Sequence, residues 1–155
     1  MDKQMTFQEE DPRLIMDEAM PLFYEHWREI SHYLDIALEP DREIYAKAAE
    51  MGMLKVFTAR EDGVLIGYAA YMVRANIHYK SSIQAQQDVL FVTKEKRRGT
   101  VGMRLIAYAD KCLAKMGVQV VVQHVKVAHN FGPLLERLGY EHVEHIYTKR
   151  LDRVQ

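Results

Sequence analysis

The sequence predicts an α/β protein with one mixed sheet and helices on both of its faces. The apolar spacing switches between helical and strand periods along the chain. Of the 155 residues, 48% are hydrophobic, and no linker, repeat or low-complexity tract divides them. A chain of this length and composition is expected to bury one core, so we expect a single domain over residues 1–155.

A short strand and a long helix are expected first. Asp11 and Pro12 are the residue types of an N-cap and a first helical turn, and apolar residues then recur at helical spacing as far as Ile30. Pro21 falls inside this run and is expected to kink the helix or split it in two.

A second helix and a hairpin follow. The helix is expected to open at Pro40-Asp41 and to stop at Gly52. Residues 54–59 and 64–73 are β-prone, and Asp62-Gly63 between them is a strong hairpin signal.

The second half is predicted as strand, helix, strand, helix, strand. Residues 83–92 form the fourth strand, whose first half is rich in glutamine, and residues 100–116 form a helix. The β-branched run 118–125 is typical of a strand buried on both faces. Asn130 is expected to cap a short helix ending at Leu138, and the last strand is expected over 142–151.

Composition narrows the function classes. The formal net charge of −1 argues against a nucleic-acid coat. No apolar run approaches the roughly 20 residues of a membrane span, and the N-terminus has no signal-peptide pattern. Cys112 is the only cysteine, which excludes an internal disulfide. We expect a cytoplasmic protein with no metal site.

Residues 97–102, Arg-Arg-Gly-Thr-Val-Gly, lie between the fourth strand and the following helix. A strand that turns through small and basic residues into a helix directs backbone N–H groups and the positive end of the helix dipole at one spot. This corner therefore predicts a phosphate site. The alternative is a solvated strand-to-helix turn.

The element order and this loop resemble the GNAT superfamily of N-acetyltransferases, over most of the chain. The family's loop motif aligns with Arg97, Thr100 and Gly102, and residues 134–140, Leu-Leu-Glu-Arg-Leu-Gly-Tyr, are similar to its late conserved segment. The resemblance implies a mostly antiparallel sheet that is splayed between its fourth and fifth strands.

The resemblance also implies that acetyl-CoA binds in this splayed opening as a cosubstrate. Backbone groups of the fourth strand would pair with its pantetheine arm, and the loop would hold its pyrophosphate. The implied cofactor residues are Leu90, Phe91, Val92, Arg97, Arg98, Gly99, Thr100, Val101, Gly102, Met103 and Asn130.

The chain departs from the family pattern at three positions. Thr100 replaces the usual glycine, so the loop must be right-handed there, because a β-branched residue resists positive φ. Leu135 stands where the family often has the tyrosine that protonates the CoA thiolate. Tyr140 and Tyr147 are the nearest tyrosines by sequence, and Tyr140 is the replacement that we predict. Alternatively, each is a core or edge aromatic. A frequent asparagine is displaced, with Asn130 nearby.

Acetyl transfer to an amine needs a base, because a lysine-like ammonium costs roughly 4.6 kcal/mol to deprotonate at pH 7. Strict alternation would put Gln84, Gln86, Asp88, Leu90 and Val92 on one face of the fourth strand. The resemblance implies a base at the position of Gln86 or of Asp88. Because an amide cannot take up the proton, Asp88 is the candidate base, provided that it is partly buried or uses a relay water. Alternatively, it only holds a loop or a substrate cation.

The resemblance also implies that the first helices, which carry Glu25, His26 and Glu29, line the acceptor pocket. Glu25 and Glu29, four residues apart, would share one face and bind the acceptor or remain simply exposed. Trp27 would be either a pocket wall or core. His78, before the fourth strand, would reach the acceptor or remain in a surface turn.

Three hypotheses follow. The first is an N-acetyltransferase that transfers acetyl directly to a primary amine, with strand N–H groups stabilising the oxyanion. The second is an acyl-CoA-binding or regulatory module without catalysis. The third is a non-enzymatic protein whose basic corner holds an anionic partner such as nucleic acid. Pairing through an exposed strand edge would make any of these a homodimer.

Overall fold

The computed structural model describes residues 2–153, which contain five strands and four α-helices. Their order is β1 (Met5–Glu10), α1 (Pro12–Ile30), α2 (Arg42–Glu50), β2 (Leu54–Glu61), β3 (Val64–Ala75), β4 (Ile83–Val92), α3 (Val101–Lys115), β5 (Val120–Val122) and α4 (Gly132–Arg137). Short 3₁₀ turns cover Lys94–Lys96 and Val127–His129.

The strands form one mixed sheet in the order β1-β2-β3-β4-β5, antiparallel except for the parallel pair β4-β5. On one face α3 buries Leu105, Ala109 and Leu113 against the sheet. On the other face α1 and α2 bury Ile15 and Ala48 against β2 and β3. The predicted fold class is therefore confirmed.

The predicted helix starts are confirmed by their caps. The Asp11 carboxylate accepts a hydrogen bond from the backbone N–H of Arg13 at 2.9 Å, and Asp41 accepts one from Ile44 at 3.0 Å. Each cap satisfies an N–H group that the helix itself leaves without a partner.

Pro21 does not split α1, which is one helix of 19 residues. Proline removes the hydrogen bond to the carbonyl four residues earlier. Both Pro21 and Asp17, the residue at that position, are exposed. Water can therefore hydrate the freed carbonyl, and the helix continues.

The β2-β3 hairpin turns through Asp62 and Gly63, as predicted. Their φ angles are +49° and +82°. Two successive positive φ angles are the signature of the two-residue turn that matches strand twist.

The C-terminal strands differ from the prediction. β5 has only three residues and is an edge strand with Val120 43% exposed, so it is not buried on both faces. Residues 142–150 form no strand, and Val143 and Tyr147 are more than 80% exposed. Strand propensity describes how well a side chain fits a half-buried pleated surface. Residues 142–150 have no such surface, because they neither cover a core nor pair with another strand.

Among residues 2–153, no helix is both long and apolar enough to cross a bilayer. Within the same residues, no group of three or more His, Cys, Asp or Glu side chains is arranged to hold a metal ion.

Candidate active site

A β-bulge interrupts β4 at Asp88. In the register with β3, Val89 lies opposite Ala70 and Gln87 lies opposite Tyr71, so Asp88 has no counterpart. An extra residue in one strand sends the side chains beyond it to the other face.

Because of the bulge, the side chains of β4 do not all lie on the faces that strict alternation predicts. Leu90 and Val92 pack into the core under α3. Asp88 faces α2 instead, where it accepts a hydrogen bond from the Tyr45 hydroxyl at 2.7 Å. The prediction that Asp88, Leu90 and Val92 share one face is wrong, because it assumed strict alternation.

The β4-β5 ladder ends early, which confirms the predicted splay. Gln86 and Val122 form its last pair. Beyond them, the side-chain carbonyl of Gln87 accepts the backbone N–H of His124 at 2.6 Å, and Gln86 Nε2 lies 3.1 Å from His124 Nε2. Side chains thus replace the backbone ladder at the fork between the strands.

The backbone of Leu90 and Val92 points into this opening. Val92 lies opposite Gly67, and the next N–H, from Thr93, bonds to Ile66 O at 2.8 Å. That pattern makes Val92 a non-hydrogen-bonded position of the β3-β4 ladder, so its own N–H and C=O face away from β3. Leu90, two residues earlier, shares this orientation.

The backbone of Phe91 has the opposite orientation. Because Phe91 lies between Leu90 and Val92, its N–H and C=O groups face Tyr68 of β3. Its side chain is 3% exposed and stacks on His26 of α1, with ring centroids 5.0 Å apart. Of the three strand residues predicted to bind the cofactor, only Leu90 and Val92 offer backbone groups to the opening.

The N-terminus of α3 presents donors next to this opening. Its first N–H groups, on Val101, Gly102 and Met103, have no partner within the helix. The N-cap, Thr100, makes no side-chain bond to them, and its φ of −98° confirms the predicted negative φ. The first turn has no acidic residue, so the corner suits an anion.

The basic cluster before α3 divides into paired and unpaired cations. Lys96 binds Glu61 at 2.6 Å, and Arg97 binds Glu29 of α1 at 2.6 Å. Lys94 and Arg98 are exposed, and no ion pair to them occurs within residues 2–153.

Acidic and phenolic groups meet on the face of α1 and α2. Burial raises the pKa of Tyr68, and the charges of Tyr45, Glu25 and Asp88 raise it further. The Tyr68 hydroxyl is buried without a hydrogen-bond partner among the described residues. A cavity of about 30 Å³ is lined by Tyr68, Tyr45 and Val89, which is space for one water. Asp88 itself is exposed.

His26, which lies on α1 between Glu25 and Glu29, has a neutral ring in the site. Burial lowers its pKa to about 4, and the nearby charges of Glu29 and Arg97 act in opposite directions. Its ring is therefore neutral at pH 7 and lies between Phe91 and Tyr68. The helical spacing of the residues around His26 does not indicate that its ring is stacked between two aromatic side chains.

Tyr140 belongs to a polar network under the fork. Its hydroxyl donates to Asp110 Oδ1 at 2.6 Å, and Gln123 donates to the hydroxyls of Tyr71 at 2.8 Å and Tyr140 at 3.4 Å. Burial, followed by the bond to Asp110, raises the pKa of Tyr140. Leu135 lies in the core, 6% exposed.

The remaining predicted residues lie in different places. Asn130 accepts a bond from the N–H of Gly132 at 2.9 Å, although the residue at the cap of α4 is Phe131. Trp27 is half-buried, and neither core cluster includes it. His78 is exposed at the β3-β4 turn. That turn lies at the opposite end of β4 from the loop, roughly 30 Å away at 3.3 Å per residue.

No protein-family model matches the chain, and no curated protein matches it in sequence. Solved structures do match its fold. One is an aminoglycoside acetyltransferase from an uncultured soil metagenomic sample in complex with sisomicin, with 19% identity, coverage of 94% of this chain and 96% of the other, and a TM-score of 0.71.

Two further solved structures match the fold of this chain. A predicted acetyltransferase with acetyl-CoA from Clostridium acetobutylicum has 11% identity, 96% and 97% coverage and a TM-score of 0.71. A GCN5-related N-acetyltransferase from Ralstonia eutropha JMP134 has 18% identity, 95% and 99% coverage and a TM-score of 0.71. The chain therefore has the GNAT fold that its loop motif predicted.

Proposed function

We propose that this protein is an N-acetyltransferase that moves the acetyl group of acetyl-CoA directly onto a primary amine. One observation carries the proposal. The open backbone edge at Leu90 and Val92 leads to the uncapped N-terminus of α3. A strand edge followed by a cluster of N–H donors fits an amide-containing arm that ends in a diphosphate.

The chain's residues would bind acetyl-CoA in two parts. Leu90 and Val92 offer alternating N–H and C=O groups to the amides of the pantetheine arm. The α3 donors and the cations Lys94 and Arg98 would hold the diphosphate. The other loop residues predicted for this site, Arg97, Gly99, Thr100, Val101, Gly102 and Met103, surround the same corner.

The acceptor would approach from the face of α1 and α2. Glu25, Glu29 and Asp88 lie on this side and would attract an ammonium group. Because Asp88 is exposed, we propose that it receives the amine proton through a relay water while the amine nitrogen bonds to the acetyl carbon. The C–S bond then breaks, and the CoA thiolate leaves and takes a proton from Tyr140 or from water. Asp88 has no Cα counterpart on β3, and a backbone N–H at this bulge would stabilise negative charge on the acyl oxygen.

A melting experiment and a thiol assay test this function together. Acetyl-CoA at 100 times its Kd should add about 2.7 kcal/mol of stability. Free thiol should then appear with an amine panel that includes sisomicin, spermidine, peptide N-termini and a lysine peptide. Thiol release that depends on an amine supports the enzyme, and an unchanged melting temperature contradicts it.

The second candidate is a non-catalytic acyl-CoA-binding module. Specific observations favour it: Leu135 has no proton to donate, and the Tyr140 hydroxyl is directed to Asp110. This candidate predicts the melting shift without thiol release against the whole panel.

A further inference from the structure

The side chain of Arg97 closes the open edge of β4. Its Nε donates to the backbone carbonyl of Val92 at 2.7 Å. Its Nη2 donates to Glu29 Oε2 at 2.6 Å, and its guanidinium carbon lies 5.2 Å from the centre of the Phe91 ring. The side chain therefore folds back from the loop onto the strand.

This position matters because the Val92 carbonyl is one of the backbone groups that β4 offers to the opening. An arm that pairs with β4 at Val92 competes with the guanidinium for the same oxygen. Arg97 is also directed to Glu29 of α1.

Glu29 joins three segments that surround the opening. Its carboxylate holds Arg97 of the loop, and its backbone carbonyl lies 2.8 Å from His129 Nε2, just before α4. The carboxylate is 22% exposed and the Arg97 side chain 36% exposed. The pair is thus within reach of a ligand on either side.

We propose that Arg97 is a latch and that acetyl-CoA opens it. The proposal rests on the function proposed above. Binding of the arm displaces Arg97 from Val92 O and breaks the ion pair with Glu29. Arg97 is then free to face the diphosphate, and the Glu29 carboxylate is exposed to a cationic acceptor. One ion pair thus couples the cofactor site to the acceptor site.

The latch predicts that Glu29→Gln tightens CoA binding. Removing the carboxylate destabilises only the closed latch, so less free energy is spent on opening it. A partly exposed ion pair of ordinary strength corresponds to a gain of about 1.5- to fivefold in affinity. The gain should shrink as salt screens the pair.

Asp17→Asn is the matched control. Asp17 lies on the same helix and forms an exposed ion pair with Arg42 at 2.7 Å. The control removes the same charge, so it reproduces any general change in attraction for an anionic ligand. It should leave the Kd for CoA unchanged.

Calorimetric titration of CoA into the wild type, Glu29→Gln, Asp17→Asn, Arg97→Gln and the Arg97→Gln/Glu29→Gln double variant completes the test. Glu29→Gln should tighten binding in the wild-type background and have no effect beside Arg97→Gln. Equal or weaker binding by Glu29→Gln, or the same gain with Asp17→Asn, overturns the latch alone. A wild type that does not bind CoA overturns the proposed function. Melting temperatures without ligand verify that each variant is folded.

Discussion

Replacing Gly102 with glutamate should stabilise the free protein and weaken its binding of CoA. Gly102 is the second residue of α3, and an added Cβ would come no closer than 4.0 Å to Val92. Removing a helical glycine contributes about 1 kcal/mol. A carboxylate near the positive end of the helix contributes about 0.3–1 kcal/mol. The melting temperature should rise by about 2–8 °C at this chain length.

The same carboxylate would lie where the diphosphate is proposed to bind. Two like unit charges 4 Å apart repel each other by about 1 kcal/mol in water and by about 4 kcal/mol at an effective dielectric constant of 20. CoA affinity should therefore fall by about five- to 1000-fold. Calorimetric titration measures this loss, and scanning fluorimetry of the free protein measures the gain in stability.

Two controls separate charge from size and position. Gly102→Gln has the same shape without the charge and should retain most of the affinity. Ala107→Glu adds a carboxylate at an exposed position of the same helix and should leave CoA binding nearly unchanged. Wild-type affinity in Gly102→Glu would refute a diphosphate at this helix end. Equal losses with glutamate and glutamine would refute the electrostatic argument.

Four further predictions concern His26, Tyr45, Tyr140 and the C-terminal segment, residues 142–151. Burial lowers the pKa of His26 to about 4, so the protein takes up a proton when it unfolds below pH 6.5. The free energy of unfolding should therefore fall by up to about 3 kcal/mol between pH 6.5 and 4. Urea unfolding should show a weaker dependence of stability on pH for His26→Gln. Tyr45→Phe should lower kcat/KM in the thiol assay, because Asp88 loses the hydroxyl that orients it. Tyr140→Phe should cost about 1–3 kcal/mol, since Asp110 loses its donor, and should lower turnover too; a loss of stability alone removes Tyr140 from the reaction. The exposed apolar side chains of the C-terminal segment should pair two copies into a homodimer, so light scattering should give twice the monomer mass of 18.1 kDa; a monomer at high concentration refutes it.

The helix starts and the hairpin were predictable because neighbouring residues determine them. A cap needs only a short polar side chain and the N–H groups that follow it, as at Asp11 and Asp41. The turn at Asp62-Gly63 needs only two residues that tolerate positive φ. The last strand was not predictable, because a strand requires a partner, and the partner depends on the rest of the fold.

In the candidate site, too, features set by neighbouring residues were predictable, and contacts between distant residues were not. The donor cluster at residues 97–102 follows from local order along the chain, and it was predicted. The faces of β4 beyond Asp88 depend on the register with β3, which the residues of β4 alone do not set. The contact between Arg97 and Glu29 joins positions 68 residues apart. No local pattern in the sequence indicates that these two residues meet.

The first half of β4 is rich in glutamine, and these side chains explain how β4 and β5 separate. Gln84 binds Asn76 of the preceding turn at 2.8 Å, whereas Gln86 and Gln87 reach His124 beyond β5. An amide side chain is long and carries both donors and an acceptor, so it can bridge two strands that are too far apart for a backbone ladder. The Gln87 carbonyl satisfies the His124 N–H that a continued ladder would have bound. Glutamine at this point therefore lets the strands part without leaving that partly buried N–H unsatisfied, and specific side chains form the opening.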